Sequence, residues 1–207
     1  MMGRDAGEVA GIPALGVPIT TSLEPNQGEI IIDFSHFSVL PRIIETAITH
    51  KNSLVCGTTG LQEKDIAALR EAGTQIPVLF SPNMSVGVNL MFLAARQMAG
   101  ALDESFDIEI VEMHHRFKKD APSGTALRLA EEVAAGRKLN LEEVGRFSRE
   151  GDDITRQPQE IGVQTVRGGD IPGEHTVFFC GMGERIELTH RALTRDIFAR
   201  GALRAAT

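Results

Sequence analysis

Tryptophan and tyrosine are absent from this 207-residue chain, and cysteine occurs only twice. Aromatic bulk therefore rests on ten phenylalanines. Cys56 and Cys180 are too few and too far apart for a disulfide framework, so reduced thiols in a cytoplasmic protein are the expectation. No apolar run approaches the roughly 18–20 residues that span a bilayer, which argues against a membrane partner. The opening residues, MMGRDAGEVAGIPALG, lack the apolar centre of a signal peptide and read as a loop. Excess positive charge is missing too. The formal net charge is -7, whereas a nucleic-acid partner demands a basic face. Apolar residues make up 42% of the chain, an ordinary globular proportion. A chain of this length buries roughly 70% of its unfolded surface, enough for one large domain or two small ones.

Up to about residue 98, short apolar runs alternate with helical spacing. GEIIIDFS, SLVCGTTG and IPVLFSPN read as buried strands. VLPRIIETAITH, LQEKDIAALREAG and VGVNLMFLAARQMAG read as helices, the first with Pro41 in its opening turn and the second closed by Gly73. Strand–helix alternation with short links predicts a parallel sheet. The pattern then changes. FDIEIVEMHH places Ile108, Ile110 and, less cleanly, Glu112 on one face of a strand. GTALRLAEEVAA predicts a helix, and residues 140–159 read as a polar linker. Residues 161–193 hold three strand-like runs with Gly-rich turns, which predict an antiparallel meander. TRDIFARGALRAA predicts a closing helix that returns to the first part.

Chemistry concentrates in EMHHRFKKDAPSGTALRLAEE, residues 112–132. His114 and His115 end a strand and so point to opposite sides. Lys118 and Lys119 follow in a short loop. Ser123 is a good N-cap, Gly124 leaves the backbone unshielded, and Thr125 adds a hydroxyl. A helix start of this kind presents free N–H groups and a positive dipole end to an anion. Histidine is suited to proton transfer near neutral pH, and lysine can bind a carboxylate or donate a proton. The combination points to acid catalysis on a carboxylate substrate. His175 and His190 are too scattered to argue a zinc site, so no metal is expected. GTTG (57–60) and SPNMSVGVN (81–89) follow consecutive parallel strands, where open α/β sheets bind ligands.

EMHHRFKKDAPSGTA closely resembles the signature of the 4-hydroxy-tetrahydrodipicolinate (dihydrodipicolinate) reductase family of lysine and diaminopimelate biosynthesis. DAGEVAG, IIDFS, VCGTTG, SPNMSVGVN, SREG, VRGGDIPGEHTVFF and GERIELTHRALTRDIFARGALRAA resemble the same family, in order. The resemblance implies an α/β protein: an incomplete Rossmann-like parallel-sheet domain, then an α+β substrate-binding and oligomerisation domain with a mixed sheet. The first is expected over residues 1–85 with the returning helix 196–207, the second over 86–195. The implied activity is reduction of a cyclic dicarboxylate by NADH or NADPH. His114 becomes the expected catalytic acid/base and Lys118 the proton donor. His115, Ser123, Gly124 and Thr125 are expected on a substrate carboxylate. Gly57, Thr58 and Thr59, with Ser81, Pro82, Asn83 and Met84, are expected at the cofactor. A homotetramer built through the second domain's sheet is implied.

Members of this family begin with a strand and a G-x-x-G-x-x-G turn and continue beyond the point that matches Thr207. Neither segment is in this sequence, so truncation at both ends is the expectation. An alternative reading is a catalytically inactive fragment that binds dicarboxylates or oligomerises. A third is another two-domain dehydrogenase of similar layout.

Overall fold

The computed structural model describes residues 1–207. The chain divides into two compact units, 1–80 and 81–205. The domain boundary expected near Ser85 thus falls between Phe80 and Ser81. The closing helix expected to return to the first part is grouped with the second unit.

The first unit opens with α1 (Ala6–Val9). Its N-cap Asp5 accepts backbone N–H groups from Gly7, Glu8, Leu15 and Val17, which folds the opening loop around one carboxylate. The order is then β1 (Ile30–Asp33), α2 (Leu40–His50), β2 (Ser53–Cys56), α3 (Glu63–Ala72) and β3 (Val78–Phe80). The strands form a three-stranded parallel sheet in the order β1-β2-β3. Leu40, Ile44 and Ala47 recur at helical spacing on α2 and bury against Ile31, Leu54 and Cys56. A capping box between Gln62 and Asp65 starts α3. Ile30, Ile32 and Leu79, on the opposite side of the sheet, are exposed.

The second unit holds α4 (Val86–Ala101), β4 (Asp107–His114), α5 (Gly124–Arg137), α6 (Leu141–Val144), β5 (Gly145–Arg146), β6 (Ile161–Arg167), β7 (Gly173–Gly181), β8 (Glu184–Ala192) and α7 (Asp196–Ala205). Its mixed sheet has the order β5-β6-β4-β7-β8. The expected three-strand meander is corrected here. Only β7 and β8 form a hairpin; β6 pairs in parallel with β4, which also takes β7 in antiparallel register. The Gly-rich segment between β6 and β7 therefore carries the chain across β4 rather than making a tight turn. Helices α4 and α5 cover one sheet face, where Ile108, Ile110, Val163, Val177 and Phe179 meet Val88, Ala95, Leu129 and Val133. The two helices run close because Gly136 has no side chain: a Cβ there would strike the Arg96 carbonyl.

The polar linker is structured as well. Arg149 forks onto Glu109 and also reaches Glu160, while Arg156 pairs with Asp107 and Glu109. No helix is long and apolar enough to cross a membrane.

Candidate active site

The alternation in β4 puts Ile108, Ile110, Glu112 and His114 on the face covered by the helices. The first two enter the core. Glu112 is fully buried, and a buried carboxylate demands partners. It receives five donors. His114 Nδ1 lies 2.5 Å from one oxygen. The Arg167 fork bonds both oxygens, at 2.8 and 2.7 Å. The Ser123 amide donates at 3.0 Å and the Thr165 hydroxyl at 3.2 Å. Burial by itself pushes the Glu112 carboxyl up. The hydrogen bonds from His114, Arg167 and Ser123 outweigh it and hold the group well below the usual carboxylate range.

Register explains how distant residues meet. Glu112 lies opposite Thr165 on β6 and His175 on β7, and His114 lies opposite Arg167. The His114 and His175 rings stand edge to face with centroids 5.2 Å apart. Gly173 leaves room for His114: a Cβ there would sit 3.0 Å from His114 Nε2. His115 is half-buried and turned away, with its Nε2 3.3 Å from the Arg195 guanidinium. Lys118 is half-buried in the following loop, its ammonium 2.9 Å from Asp120. Arg167 also donates to the Asp120 carbonyl, so one guanidinium ties this loop to Glu112.

Helix α5 begins as its sequence predicts. Ser123 caps it by accepting from Ala126 N–H, and its hydroxyl lies 3.2 Å from His175 Nε2. The Gly124 and Thr125 amides fall in the first turn, where no intrahelical carbonyl can reach them. Nothing would lie within 4 Å of a Cβ on Gly124, so the helix end is open there. The Thr125 hydroxyl accepts from Asn83, at 3.1 Å. That bond joins the start of α5 to the turn before α4. In that turn Ser81 donates to the Asn83 carbonyl, Asn83 accepts from the Ser85 amide, and Ser85 caps α4. Pro82 is exposed, whereas Met84 is buried and its carbonyl lies against Gly201 of α7.

His114, His115, Lys118, Ser123, Gly124, Thr125, Ser81, Pro82, Asn83 and Met84 all lie in the second unit, where Glu112 links His114 to Ser123 and Asn83 links its turn to Thr125, while His115 is directed toward Arg195 instead. Gly57, Thr58 and Thr59 belong to the first. There the buried Thr58 hydroxyl donates to Asp33 at 2.8 Å. Gly57 is a glycine for packing, since a Cβ would lie 2.5 Å from the Phe34 ring. Thr59 and Gly60 remain exposed at the carboxyl end of β2. Burial, aided by the Asp33 carboxylate, pushes the neighbouring Cys56 thiol up to about 11, so it is no nucleophile at neutral pH.

Sequence reading assigns no site role to Arg167, His175 or Arg195. The signal for His175 is its alternation with Val177 and Phe179 on a buried face. Burial, with the positive charges of His114, His190 and Lys118, brings the His175 pKa down to about 3 against the pull of Glu112. His175 therefore stays neutral in the folded state while the unfolded chain takes up a proton near pH 6.5. Stability is complete above pH 6.5 and falls from there toward pH 3, by at most about 1.4 kcal/mol per pH unit for this one proton. Urea midpoints of the native protein and of His175→Gln, measured from pH 7.5 to 4.5, should diverge in slope. Parallel curves would deny the burial of a neutral His175.

The model of dihydrodipicolinate reductase, C-terminus, matches residues 87–207, and that of its N-terminus matches residues 1–84. The 4-hydroxy-tetrahydrodipicolinate reductase of Syntrophotalea carbinolica is 50% identical over 211 aligned residues, which cover all of this chain and 78% of that protein. The protein of the same name from Geobacter sulfurreducens is 49% identical over 208 residues, again covering 78% of its length. The dipicolinate-bound dihydrodipicolinate reductase of Paenisporosarcina sp. TG-14 shares the fold. It superposes with a TM-score of 0.67 at 24% identity, over 86% of this chain and 67% of that one. By the extent of these matches, this chain belongs to the dihydrodipicolinate reductase family.

Proposed function

We propose that this chain reduces 4-hydroxy-tetrahydrodipicolinate to tetrahydrodipicolinate with NADH or NADPH. The observation that carries the reading is the convergence of His114, the Lys118 loop and the open start of α5 around one buried carboxylate. The net change replaces a C–OH by a C–H: a hydride enters, and the departing hydroxide takes up a proton to leave as water. His114 acts as acid/base and Lys118 as proton donor. The free amides of Gly124 and Thr125, the Ser123 cap and His115 hold a substrate carboxylate through N–H donors and the helix dipole.

The reduced nicotinamide cofactor supplies the hydride when bound. The residues present fit such a group. Thr59 and Gly60 offer an exposed hydroxyl and an unshielded backbone at a parallel strand's carboxyl end. Thr58 and Gly57 shape that turn from beneath, through Asp33 and Phe34. Ser81, Pro82, Asn83 and Met84 complete the cofactor assignment at the next strand end. The domain roles follow: residues 1–85 hold the dinucleotide and 86–195 the substrate. The sheet face opposite α4 and α5, with Val166 exposed and Val111, Met113 and Phe178 half-buried, supports a homotetramer built through this sheet.

The test is turnover by the purified chain with 4-hydroxy-tetrahydrodipicolinate and each reduced cofactor, followed by nicotinamide absorbance. A kcat on the order of 1–10³ s⁻¹ is the expected result. Calorimetric binding of both ligands with no oxidation of cofactor would instead describe a binding module.

A further inference from the structure

We propose that Glu112 is the positioning residue of this site: fixed by Arg167, its carboxylate sets the orientation and tautomer of His114 and anchors the start of the α5 anion cradle. The inference rests on the function proposed above and goes beyond it, because Glu112 touches neither substrate nor cofactor.

A carboxylate offers about four lone-pair sites. Glu112 already meets five donors, from His114, both Arg167 nitrogens, Ser123 and Thr165. It is fully buried, so water does not compete. No capacity is left for substrate. Its guanidinium partner is always charged, so the pair carries no exchangeable proton to pass on. Glu112 therefore does not itself deliver protons; it fixes the groups that do.

Two such groups converge on it. Its Oε2 takes His114 Nδ1 at 2.5 Å, which in neutral imidazole puts the proton on Nδ1 and leaves Nε2 as the working nitrogen. Nε2 faces Gly173, which has no side chain to meet it. Its Oε1 takes the Ser123 amide, which sets where the first turn of α5 begins. One carboxylate thus gauges the separation between the proton-transferring ring and the anion cradle. Arg167 extends the same frame to the Lys118 loop through the Asp120 carbonyl. The charged and titratable groups around His114 are Glu112 on its own strand, Arg167 on β6, His175 on β7 and Lys118 in the loop. Glu112 is the anion in contact with the His114 ring, whereas Asp120, the carboxylate of the adjoining loop, pairs with Lys118.

A buried ion pair kept only for stability makes a different prediction. Such pairs are often replaced by uncharged groups with little loss, and nothing in that role depends on which imidazole nitrogen carries the proton.

The experiment joins ¹⁵N NMR of the histidine side chains with steady-state kinetics of Glu112→Gln. In the native protein, neutral His114 should be the Nδ1–H tautomer. In Glu112→Gln the side-chain amide donates to Nδ1, and the Nε2–H tautomer should take over. The kcat should fall about 10²-fold, with cofactor KM within about threefold. A native Nε2–H tautomer, or a variant with unchanged kcat, overturns the proposal. Should the variant not fold, the native tautomer alone decides it. Should the native protein not turn over this dicarboxylate, the proposed function falls, while the tautomer still reports on Glu112.

Discussion

Replacing His114 by glutamine should lower kcat by about 10²- to 10⁴-fold while the protein stays folded. Glutamine keeps a polar, uncharged side chain beside Glu112 but cannot carry a transferable proton. Lys118→Met should act in the same range, because it removes the proposed second proton source and the cation in the loop before the proposed cradle. In both variants the loss should sit mainly in kcat, since the amides of Gly124 and Thr125, the proposed carboxylate donors, are left in place. The double variant should lose less than the product of the single losses, as groups serving one transition state are not additive. Single-turnover rates separate chemistry from product release. If both single variants keep their rate within about threefold, the assignment of the proton donors to this loop is wrong.

Phe179→Ala should cost about 3–5 kcal/mol of stability in the second unit, the largest packing loss of any single truncation there. Phe179 is the bulkiest of the fully buried side chains. It sits opposite Ile108 on β4 and Ile186 on β8, under the two covering helices. Removing the ring empties a space that neighbouring strands cannot close without shifting register, and register is fixed along both sides of β7. Urea unfolding followed by circular dichroism measures the loss. A cost below about 1 kcal/mol would mean that the helices do not seal this face.

The alternation of strands and helices was readable because each element carries its own periodicity. Leu40, Ile44 and Ala47 mark α2 without reference to anything else, and Ser123 with Gly124 marks the start of α5. The family followed from the same local stretch. Strand order was not readable. Ile161 and Val163 look the same in a hairpin as in a parallel partner of β4, because side-chain alternation records a buried face and not the neighbour's identity. The site was half readable for the same reason. His114, Lys118 and the cradle lie within twelve positions and announce themselves together. Arg167 and His175 become part of the site only through pairing with Glu112; Arg167 carries no local sign of it, and the alternation that buries His175 does not say which residue it faces. Glu112 itself breaks the apolar pattern of β4, and its polarity marks the point where the strand leaves the core for the site.

The central position of β4 also sets an order of events during synthesis. Its parallel neighbour contributes Arg167, 55 residues after Glu112, and its antiparallel neighbour leaves the ribosome later still. For that interval the growing chain carries Glu112 and His114 without the strands that enclose them. The proposed site cannot mature ahead of the chain's last third, so a polypeptide released early at the end of α5 would contain every residue of the signature and yet no assembled site.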